Sequence, residues 1–496
     1  MTEPQDTHTE DSTEKSQPAT KYLQFKRRKF IWLVIATIIL TALITVFATI
    51  AISNFMFGLT SEQRKDVAKI EQAYKTIDNE YYKDVKSKEL SDAAINGMVK
   101  QLDDPYSEYM TKQQTKAFNE DVSGDFVGIG AEMQKKNDQI QITSPMKDSP
   151  AEKAGIQPKD IVTKVNGKSV KGKPLDAIVK QVRGKKGSEF TLTIKRNGEE
   201  QDISIKRNTI HVKSVEYEKH GNSGVFKINK FQDSTAGELK SAIIKARKQG
   251  IDNIVLDLRN NPGGLLNEAV KMANIFIDKN KTVVQLEKGE HKEQVKTPND
   301  SLKEAKDMNV AILVNGGSAS ASEVFAGAMK AHDKAKIYGS KTFGKGIVQT
   351  THELDDGSIL KYTDMKWLTP DDKYIHGKGI KPDVKIDTPE YQSLNVIPNN
   401  KTYVEGDETS HVKTIKIGLK ALGYSINNES KTYDNELTEA IKKFQKDQKL
   451  TVNGNFDKET NNKFTEMLVN KANEKDTVLD ELLDKLKKYE VSVNDS

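Results

Sequence analysis

Residues 316–330 read GGSASASEVFAGAMK. The apolar run at 311–314 precedes a glycine pair, and the segment after the serines has helical periodicity. We therefore expect a strand, a turn and a helix that begins between Ser318 and Ser322. A serine at a helix N-terminus lies beside free N–H groups that could stabilise an oxyanion, but serine is also a preferred helix cap. The pattern alone leaves both roles open.

Strand-like and helix-like segments alternate on both sides of this stretch. GVFKINKF precedes the helical ELKSAIIKARKQG, and IVLDLRNNPGG precedes the helical LLNEAVKMANIF. KYTDMKWLTP and IHGKGIKPDV close the region. Repeated strand-then-helix order favours an α/β core. We predict this core over residues 207–390.

The segment before the core changes character near residue 122. Residues 61–118 have helical spacing up to DDPYSEYM, where Pro105 breaks the pattern. Residues 122–206 read as short strands, with a helix in SPAEKAGI and a hairpin turn at Asn166-Gly167. This order resembles a PDZ domain, whose carboxylate-binding loop would be Val127-Gly128-Ile129-Gly130. PDZ domains add an extended peptide as a strand and hold its terminal carboxylate. A small β-domain without a ligand is the alternative.

A small helical unit follows the core. VKTIKIGLKALGY, ELTEAIKKFQKDQKL and KETNNKFTEML are three amphipathic helices within residues 412–470. Their order resembles the peptidoglycan-binding three-helix module, which implies a cell-wall partner. Residues 391–411 read as a linker, and residues 471–496 as a C-terminal tail with a further helix of unknown role.

The N-terminal region contains one long apolar segment. Residues 30–53 hold no charge, and about 20 apolar residues suffice to cross a bilayer. Lys26, Arg27, Arg28 and Lys29 precede it, and positive charge stays in the cytoplasm. We predict a cytoplasmic tail at 1–29, a transmembrane helix at 30–53 and an extracytoplasmic remainder at the cell membrane. A cleaved signal peptide is the alternative.

Composition excludes several classes of function. The 77 basic residues almost balance the 72 acidic ones, for a net charge of +5, which gives no case for nucleic acid. The chain has no cysteine, so thiolate catalysis and disulfides are excluded. It shows neither metal-ligand spacing nor a phosphate loop, so we expect no metal and no cofactor.

A nucleophilic serine needs a base, and the sequence offers two kinds. His332 and His352 flank the region, with Asp333 nearby, so a Ser-His pair is one option. Lys345, between Gly344 and Gly346, is the other. Lysine becomes an effective base near neutral pH only if burial lowers its pKa by about three units, at a cost of roughly 4 kcal/mol. Either partner is compatible with the residues alone.

The order of several motifs resembles the carboxy-terminal processing peptidases, also called tail-specific proteases. DDPYSEYM, LDLRNNPGG, NGGSASASE, TFGKGIVQT and HGKGIKPD follow one another here with the PDZ-like segment after the first. The resemblance spans about residues 65–390. It implies Ser320 as the nucleophile, Lys345 as the general base and Gln349 as a supporting residue. An extended strand would separate Lys345 from Gln349 by about 13 Å, so direct contact would need a bend at Gly346.

The same resemblance implies an oxyanion hole and a substrate sensor. The hole would use backbone N–H groups of Ala321 and of the Gly263-Gly264 turn. Arg183 matches a PDZ arginine associated with switching between resting and active forms. Ala331 stands where some members have an aspartate, which counts against a triad that uses that position.

The sequence thus predicts a multidomain α/β protein with a membrane helix, a PDZ-like domain, a Ser-Lys peptidase core and a three-helix module. Its expected activity is serine endopeptidase cleavage of proteins recognised by their C-terminal tails. The alternatives are a non-catalytic PDZ scaffold tethered to the wall and a Ser-His hydrolase acting on wall material. Homo-oligomer formation stays open at this stage.

Overall fold

The computed structural model describes residues 27–494, with side chains described for 27–51 and 58–487. The predicted cytoplasmic tail therefore lies outside the described residues as far as residue 26. One described helix is long and apolar enough to cross a membrane, by length and composition, over Arg27–Ala51. The chain forms two compact units, with the boundary between Ile95 and Asn96. The first helices are α1 (Arg27–Phe57), α2 (Ser61–Glu80) and α3 (Ser87–Lys100).

The segment expected to be helical over 61–118 contains a strand. Thr60 caps α2 by accepting the Gln63 N–H, but strand β1 (Glu108–Met110) interrupts the helices before α4 (Lys112–Ser123). β1 pairs with a strand about 250 residues later in the chain, so its local sequence does not announce it.

Residues 125–211 form the PDZ domain. Its main sheet is antiparallel, with Asn166 and Gly167 at positive φ in the predicted hairpin turn. Apolar side chains from this sheet and from two helices form a separate core that includes Ile129 and Ile178. The elements are β2 (Asp125–Gly128), β3 (Ala131–Lys136), β4 (Gln139–Pro145), α5 (Pro150–Lys153), β5 (Ile161–Val165), β6 (Lys168–Ser169), α6 (Leu175–Val182), β7 (Glu189–Arg196), β8 (Glu199–Lys206) and β9 (Asn208–His211).

The predicted α/β core contains two sheets. The first has the order β10-β11-β12-β15-β16-β19 and is parallel except for β10, while the second has the order β1-β18-β13-β14 with β17 on β18. β12 is buried along its whole length, as a central parallel strand requires. The elements are β10 (Val215–His220), β11 (Ser223–Ile228), α7 (Thr235–Lys248), β12 (Asn253–Asp257), α8 (Leu266–Phe276), β13 (Thr282–Lys288), β14 (His291–Lys296), β15 (Asn309–Val314), α9 (Ala321–Ala331), β16 (Lys336–Gly339), β17 (Ile347–Glu353), β18 (Ile359–Leu368) and β19 (Val384–Lys385).

The C-terminal module has the three predicted helices, α10 (Ser410–Ala421), α11 (Asn435–Asp447) and α12 (Lys458–Glu474). Residues 391–411, which the sequence predicts to be a linker, pack in part against this module. Ile397 and Tyr403 are buried in its core, because apolar side chains there complete a unit too small to bury them by helices alone.

The C-terminal tail returns to the peptidase core as helix α13 (Thr477–Asn494). Val478, Leu482 and Leu483 pack against strand residues such as Val255 and Leu313. The packing cluster of α7, α8 and α9 contains the neighbouring residues Leu256 and Ile312 instead. Because side chains alternate along a strand, α13 and the other helices lie on opposite faces of the sheet. Arg259 adds an ion pair with Asp476, just before α13.

Candidate active site

The three serines of the quoted segment have different environments. Ser318 and Ser322 are fully buried, and their hydroxyls donate to the carbonyl oxygens of Leu258 (2.7 Å) and Asn261 (3.0 Å). Ser320 is only half-buried. The outer two serines therefore join the β15–α9 turn to the β12–α8 loop, and Ser320 is the one of the three that a substrate can reach.

Ser320 has a backbone unlike that of an ordinary helix cap. It immediately precedes α9 with φ 54° and ψ −115°, whereas capping residues are normally extended. In an ordinary cap, the Ser320 hydroxyl would accept a hydrogen bond from the Glu323 N–H. Here the Glu323 N–H donates to the Ser320 carbonyl oxygen at 2.8 Å. Non-glycine residues at positive φ are costly and cluster at functional sites. The geometry favours the catalytic reading over simple capping.

Gly263 packs directly against Ser320. A Cβ at Gly263 would lie 2.9 Å from the Ser320 Cβ and 2.9 Å from the Ala321 nitrogen, and its φ of 100° also requires glycine. A Cβ at Gly264 would lie 2.1 Å from the Phe231 oxygen. The glycine pair thus brings its backbone beside the nucleophile at the carboxyl ends of the neighbouring strands β12 and β15.

The expected oxyanion donors are not equally available. The Gly263 N–H donates to the Asn261 side-chain oxygen at 2.9 Å. Ala321 is the first residue of α9, and such N–H groups have no intrahelical partner. Within residues 27–494 no hydrogen bond is recorded for the Gly264 N–H. Ala321 and Gly264, rather than Gly263, have the N–H groups that could face developing charge.

The glycines around Lys345 serve close packing. A Cβ at Gly344 would lie 2.7 Å from the Gly379 nitrogen, and one at Gly346 would lie 2.8 Å from the His376 nitrogen. The TFGKG and HGKG segments therefore lie against each other. Trp367 donates its indole N–H to the Lys345 carbonyl at 2.9 Å, which fixes the loop further.

Glu323 connects the serine to this lysine loop. Its carboxylate is fully buried, and one oxygen accepts the backbone N–H groups of Ser320 (2.9 Å) and Lys345 (2.8 Å). The other oxygen accepts the Thr342 hydroxyl (2.5 Å) and the Gly344 N–H (2.7 Å). The backbone nitrogens of Ser320 and Lys345 are thus no farther apart than the sum of two hydrogen bonds. The structure brings the two predicted residues together at one carboxylate.

The Lys345 amine is half-buried and lies 4.7 Å from the centroid of the Tyr106 ring. Burial lowers its pKa, and the positive charge of Lys361 lowers it further, while the Asp104 carboxylate opposes both. The net pKa lies below that of an ordinary lysine. This is the direction that a lysine base requires.

Gln349 is connected to this region indirectly. A bulge between Val348 and Gln349 interrupts the register of β17 with β18, and the Gln349 amide donates to the Thr363 hydroxyl at 3.4 Å. Thr363 in turn donates to Asp104 at 2.6 Å. The described contacts therefore place Gln349 one side chain away from the residues around Lys345.

The histidines lie away from Ser320. His332 is at the far end of the 11-residue α9, about 17 Å along the helix axis, and its ring binds the Thr282 carbonyl at 2.7 Å. His352 is exposed in β17. Ala331 also lies at the distal end of α9. The geometry gives the Ser-His alternative no support.

The PDZ residues singled out in the sequence occupy one edge of that domain. Val127 and Gly128 belong to β2, which pairs with β9, and Ile129 is buried in the domain core. The carbonyl oxygens of Ile129 and Gly130 accept hydrogen bonds from Ala151 (2.8 Å) and Met146 (2.8 Å). The loop is therefore held from its carbonyl side.

Arg183 is not simply solvated. It ends α6, pairs with Glu120 of α4 at 2.5 Å, and lies 5.0 Å from the centroid of the Phe126 ring. The PDZ domain is thereby connected to the helix that follows β1 and the DDPYSEYM turn.

Sequence reasoning missed Glu323 and Asp104 as parts of the site. A signal for Glu323 exists, since it follows Ser320 by three residues, the spacing of a helix capping box. Asp104 lies in the quoted DDPYSEYM motif, but only its distant partner Thr363 reveals its position. Among residues 27–494, no group of three or more His, Cys, Asp or Glu side chains is placed to hold a metal.

Four family models match the chain. Peptidase family S41 matches residues 222–386, and the N-terminal domain of the activating protease CtpB matches residues 56–114. The PDZ domain model matches residues 127–206, and a putative peptidoglycan-binding domain matches residues 408–464. These matches follow the order of the folded units.

Curated relatives match nearly the whole chain. A probable CtpA-like serine protease of Staphylococcus saprophyticus is 70% identical and covers 95% of this chain and 96% of its own length. One of Staphylococcus aureus is 65% identical and covers 95% of each. A solved photosystem II D1 C-terminal processing protease is 26% identical, with a TM-score of 0.39, over 66% of this chain and 94% of its own.

The fold and the site define a serine peptidase that carries a PDZ domain and a C-terminal peptidoglycan-binding-like module. The chain belongs to the CtpA-like serine proteases of peptidase family S41. A PDZ domain in this setting suggests binding of peptides or proteins, and the C-terminal module suggests the cell wall.

Proposed function

We propose that this protein is a membrane-anchored, extracytoplasmic endopeptidase in which Ser320 is the nucleophile and Lys345 the general base. The observation that carries the proposal is the buried Glu323 carboxylate, one oxygen of which binds the backbone N–H groups of both residues. A fixed backbone relation between nucleophile and base is what covalent catalysis needs.

In the chemical step, one proton is transferred first to Lys345 and then to the leaving amine. Neutral Lys345 takes the proton of the Ser320 hydroxyl as the serine oxygen bonds to the scissile carbonyl carbon. The Ala321 and Gly264 N–H groups stabilise the resulting oxyanion. The lysine then returns the proton to the leaving amine, and water releases the acyl group by the same route. The lowered pKa of Lys345 supports its role as the base.

The lysine must move for this step. Within residues 27–494, no hydrogen bond joins its amine to the Ser320 hydroxyl, and the amine instead lies over the Tyr106 ring. We infer that this is a resting arrangement and that substrate binding turns the amine towards Ser320. Gln349, connected through Thr363, would support the lysine in the active form.

Substrate recognition is assigned to the PDZ domain. In the loop Val127-Gly128-Ile129-Gly130, the carbonyl oxygens of Ile129 and Gly130 already accept hydrogen bonds, so the N–H groups of these two residues are the ones that we assign to a terminal carboxylate. Arg183, joined to Glu120, would report occupancy of the PDZ domain to α4 and the adjoining β1. The substrates would be proteins with accessible C-terminal tails.

The proposed position in the cell rests on the N-terminal apolar helix and on the C-terminal module. The apolar residues 30–53, most of which lie in the long helix over Arg27–Ala51, serve as a single transmembrane anchor with the basic residues 26–29 on its cytoplasmic side. Residues 58–494 then lie outside, where the C-terminal module can reach peptidoglycan. We keep the proposed domain limits of 122–206 for the PDZ domain, 207–390 for the peptidase and 412–470 for the wall-binding module.

The test compares two unfolded protein substrates that differ only in a free or an amidated C-terminus. Full-length protein in detergent should cleave the free form faster, and Ser320→Ala or Lys345→Ala should abolish cleavage. His332→Ala and His352→Ala are the matched controls and should keep wild-type rates. Full activity of Ser320→Ala or Lys345→Ala would refute the mechanism, and equal cleavage of both substrates would refute tail recognition.

A further inference from the structure

Hydrogen-bond donors in and around its own turn hold the Asp104 carboxylate near Lys345. One oxygen of Asp104 accepts the Tyr106 N–H at 3.0 Å, and the other accepts the hydroxyls of Ser107 and Thr363, each at 2.6 Å. Burial raises the pKa of Asp104, but these hydrogen bonds and the charge of Lys345 outweigh it, so the net pKa is lowered. All three donors are neutral, so Asp104 keeps its negative charge.

The Lys345 amine lies over the same turn. Its nitrogen is 4.7 Å from the centroid of the Tyr106 ring, and Tyr106 is two residues after Asp104. Strand β18 contributes to the same surroundings through Thr363 and Lys361, the latter paired with Glu108 of β1. The carboxylate of Asp104 and the ammonium of Lys361 thus act on the amine with opposite signs.

Other charged or titratable groups border the lysine on each side of its loop. Glu323 of α9 binds its backbone N–H, and His376 of the 369–379 loop accepts the N–H of Gly346. Among the described residues, the charged or titratable groups that border Lys345 and its flanking glycines include Asp104, Tyr106, Glu323, Lys361, Tyr374 and His376.

We propose that Asp104 is a positioning residue for the catalytic lysine: its carboxylate is the counter-ion of the Lys345 ammonium in the resting arrangement, where the amine lies over Tyr106. The inference rests on the Ser-Lys mechanism proposed above. Asp104 takes no proton itself: the proton passes from the Ser320 hydroxyl to the Lys345 amine and then to the leaving amine. The carboxylate stabilises the protonated amine of the free enzyme, which must lose its proton before it can act as the base.

The proposal makes opposite predictions for two neutral substitutions. The activity kcat/KM rises with pH as Lys345 loses its proton. Asp104→Asn removes the charge that favours the ammonium, so the rise should shift to lower pH, by on the order of one unit. Lys361→Met removes a repelling charge, so the rise should shift to higher pH. A purely structural disturbance would lower the plateau without moving the two profiles in opposite directions.

The experiment measures kcat/KM against pH for the full-length protein in detergent, with a peptide substrate that has no group titrating in the range. Asp103→Asn is the matched control, because it removes an exposed carboxylate from the neighbouring position of the same turn, and it should leave the profile unchanged. Asp104→Ser is a second neutral variant that can still accept the Tyr106 N–H. Asp104→Ser should show the same shift to lower pH, and it serves as the test if Asp104→Asn folds too poorly to be measured.

The outcomes distinguish a failure of the Asp104 role from a failure of the Ser-Lys mechanism. If Ser320→Ala and Lys345→Ala are inactive but neither neutral variant of Asp104 shifts the profile, the role of Asp104 is wrong and the Ser-Lys mechanism stands. The same conclusion follows if the Asp104 and Lys361 variants shift in the same direction. If Lys345→Ala retains the wild-type profile, the mechanism itself is wrong.

Discussion

At the residue scale, the site depends on a few buried polar groups that have no freedom to rearrange. Ser318 and Ser322 fix the turn, which leaves Ser320 reachable in a strained conformation. Glu323 satisfies four donors that converge from two loops. A buried donor left without a partner costs about 1–3 kcal/mol, so these bonds hold the backbone of Ser320 and of the Lys345 loop firmly.

We expect Glu323→Gln to reduce kcat roughly ten- to hundredfold with little change in KM. The amide has the same shape but replaces one accepting oxygen with a donor, so two of the four donors lose their partner. Steady-state kinetics on the full-length protein measure the effect.

Glu268→Gln is the matched control for that substitution. Glu268 is also a buried helix glutamate that accepts a backbone N–H, from Ala236 at 3.0 Å, but it does not bind the Ser320 or Lys345 backbone. Glu268→Gln removes a buried helix carboxylate and weakens its pair with Lys271, so it should lower stability and leave kcat unchanged. Equal losses of kcat in both variants would contradict a specific role for Glu323.

Much of the proposed site was predicted from the sequence, and the missed residues have two different causes. Ser320, Lys345 and the glycine pair occur in motifs whose order resembles that of the carboxy-terminal processing peptidases, and Glu323 was missed although its spacing from Ser320 is a local signal. Asp104, by contrast, depends on Thr363, a residue about 260 positions away, and no local pattern encodes such a contact. The Gly263 N–H, by contrast, is bound by the Asn261 side chain two residues earlier, which is a local turn contact of a kind that asparagine favours.

At the element scale, the predicted helices and central strands of the peptidase core are present because their apolar periodicity is strong. The exceptions are short or unusual segments. β1 has three residues and exists only because it pairs with β18. A further helix in the C-terminal tail was predicted, but not the sheet face that α13 covers, since the C-terminal module separates it from the peptidase core in the sequence.

We expect Leu482→Ala to destabilise the peptidase core by about 2–5 kcal/mol, because a fully buried leucine between α13 and the sheet would leave a cavity. Denaturant unfolding of the full-length protein in detergent, followed by tryptophan fluorescence, measures this change. Trp367 is buried in the peptidase core and reports on it.

Val469→Ala is the control for the α13 prediction. Val469 in α12 is 52% exposed, so its substitution should change stability by no more than about 0.5 kcal/mol. If Leu482→Ala is equally mild, α13 does not contribute to the peptidase core in the way described here.

At the scale of the described unit from Asn96 onward, a continuous set of contacts connects recognition to chemistry. Arg183 of the PDZ domain binds Glu120 of α4, α4 follows β1, and the turn before β1 carries Tyr106 and Asp104 beside Lys345. Such a path is a structural basis for coupling, and it becomes a mechanism only if the lysine has two arrangements.

The proposed resting arrangement gives that path a purpose. In the proposed mechanism, an amine that stays over Tyr106 would leave Ser320 without its base, so cleavage would wait for a bound substrate. A bound tail would favour the active arrangement by binding it more tightly than the resting one.

The most direct test of the central claim is the rate at which a fluorophosphonate modifies Ser320, followed against pH by mass spectrometry. We predict an adduct on Ser320 whose rate of formation rises with pH, with a midpoint below the value of about 10.4 for a free lysine, and which Lys345→Ala nearly eliminates. An adduct that forms at the same rate in Lys345→Ala, or that appears on a different serine, would contradict the account.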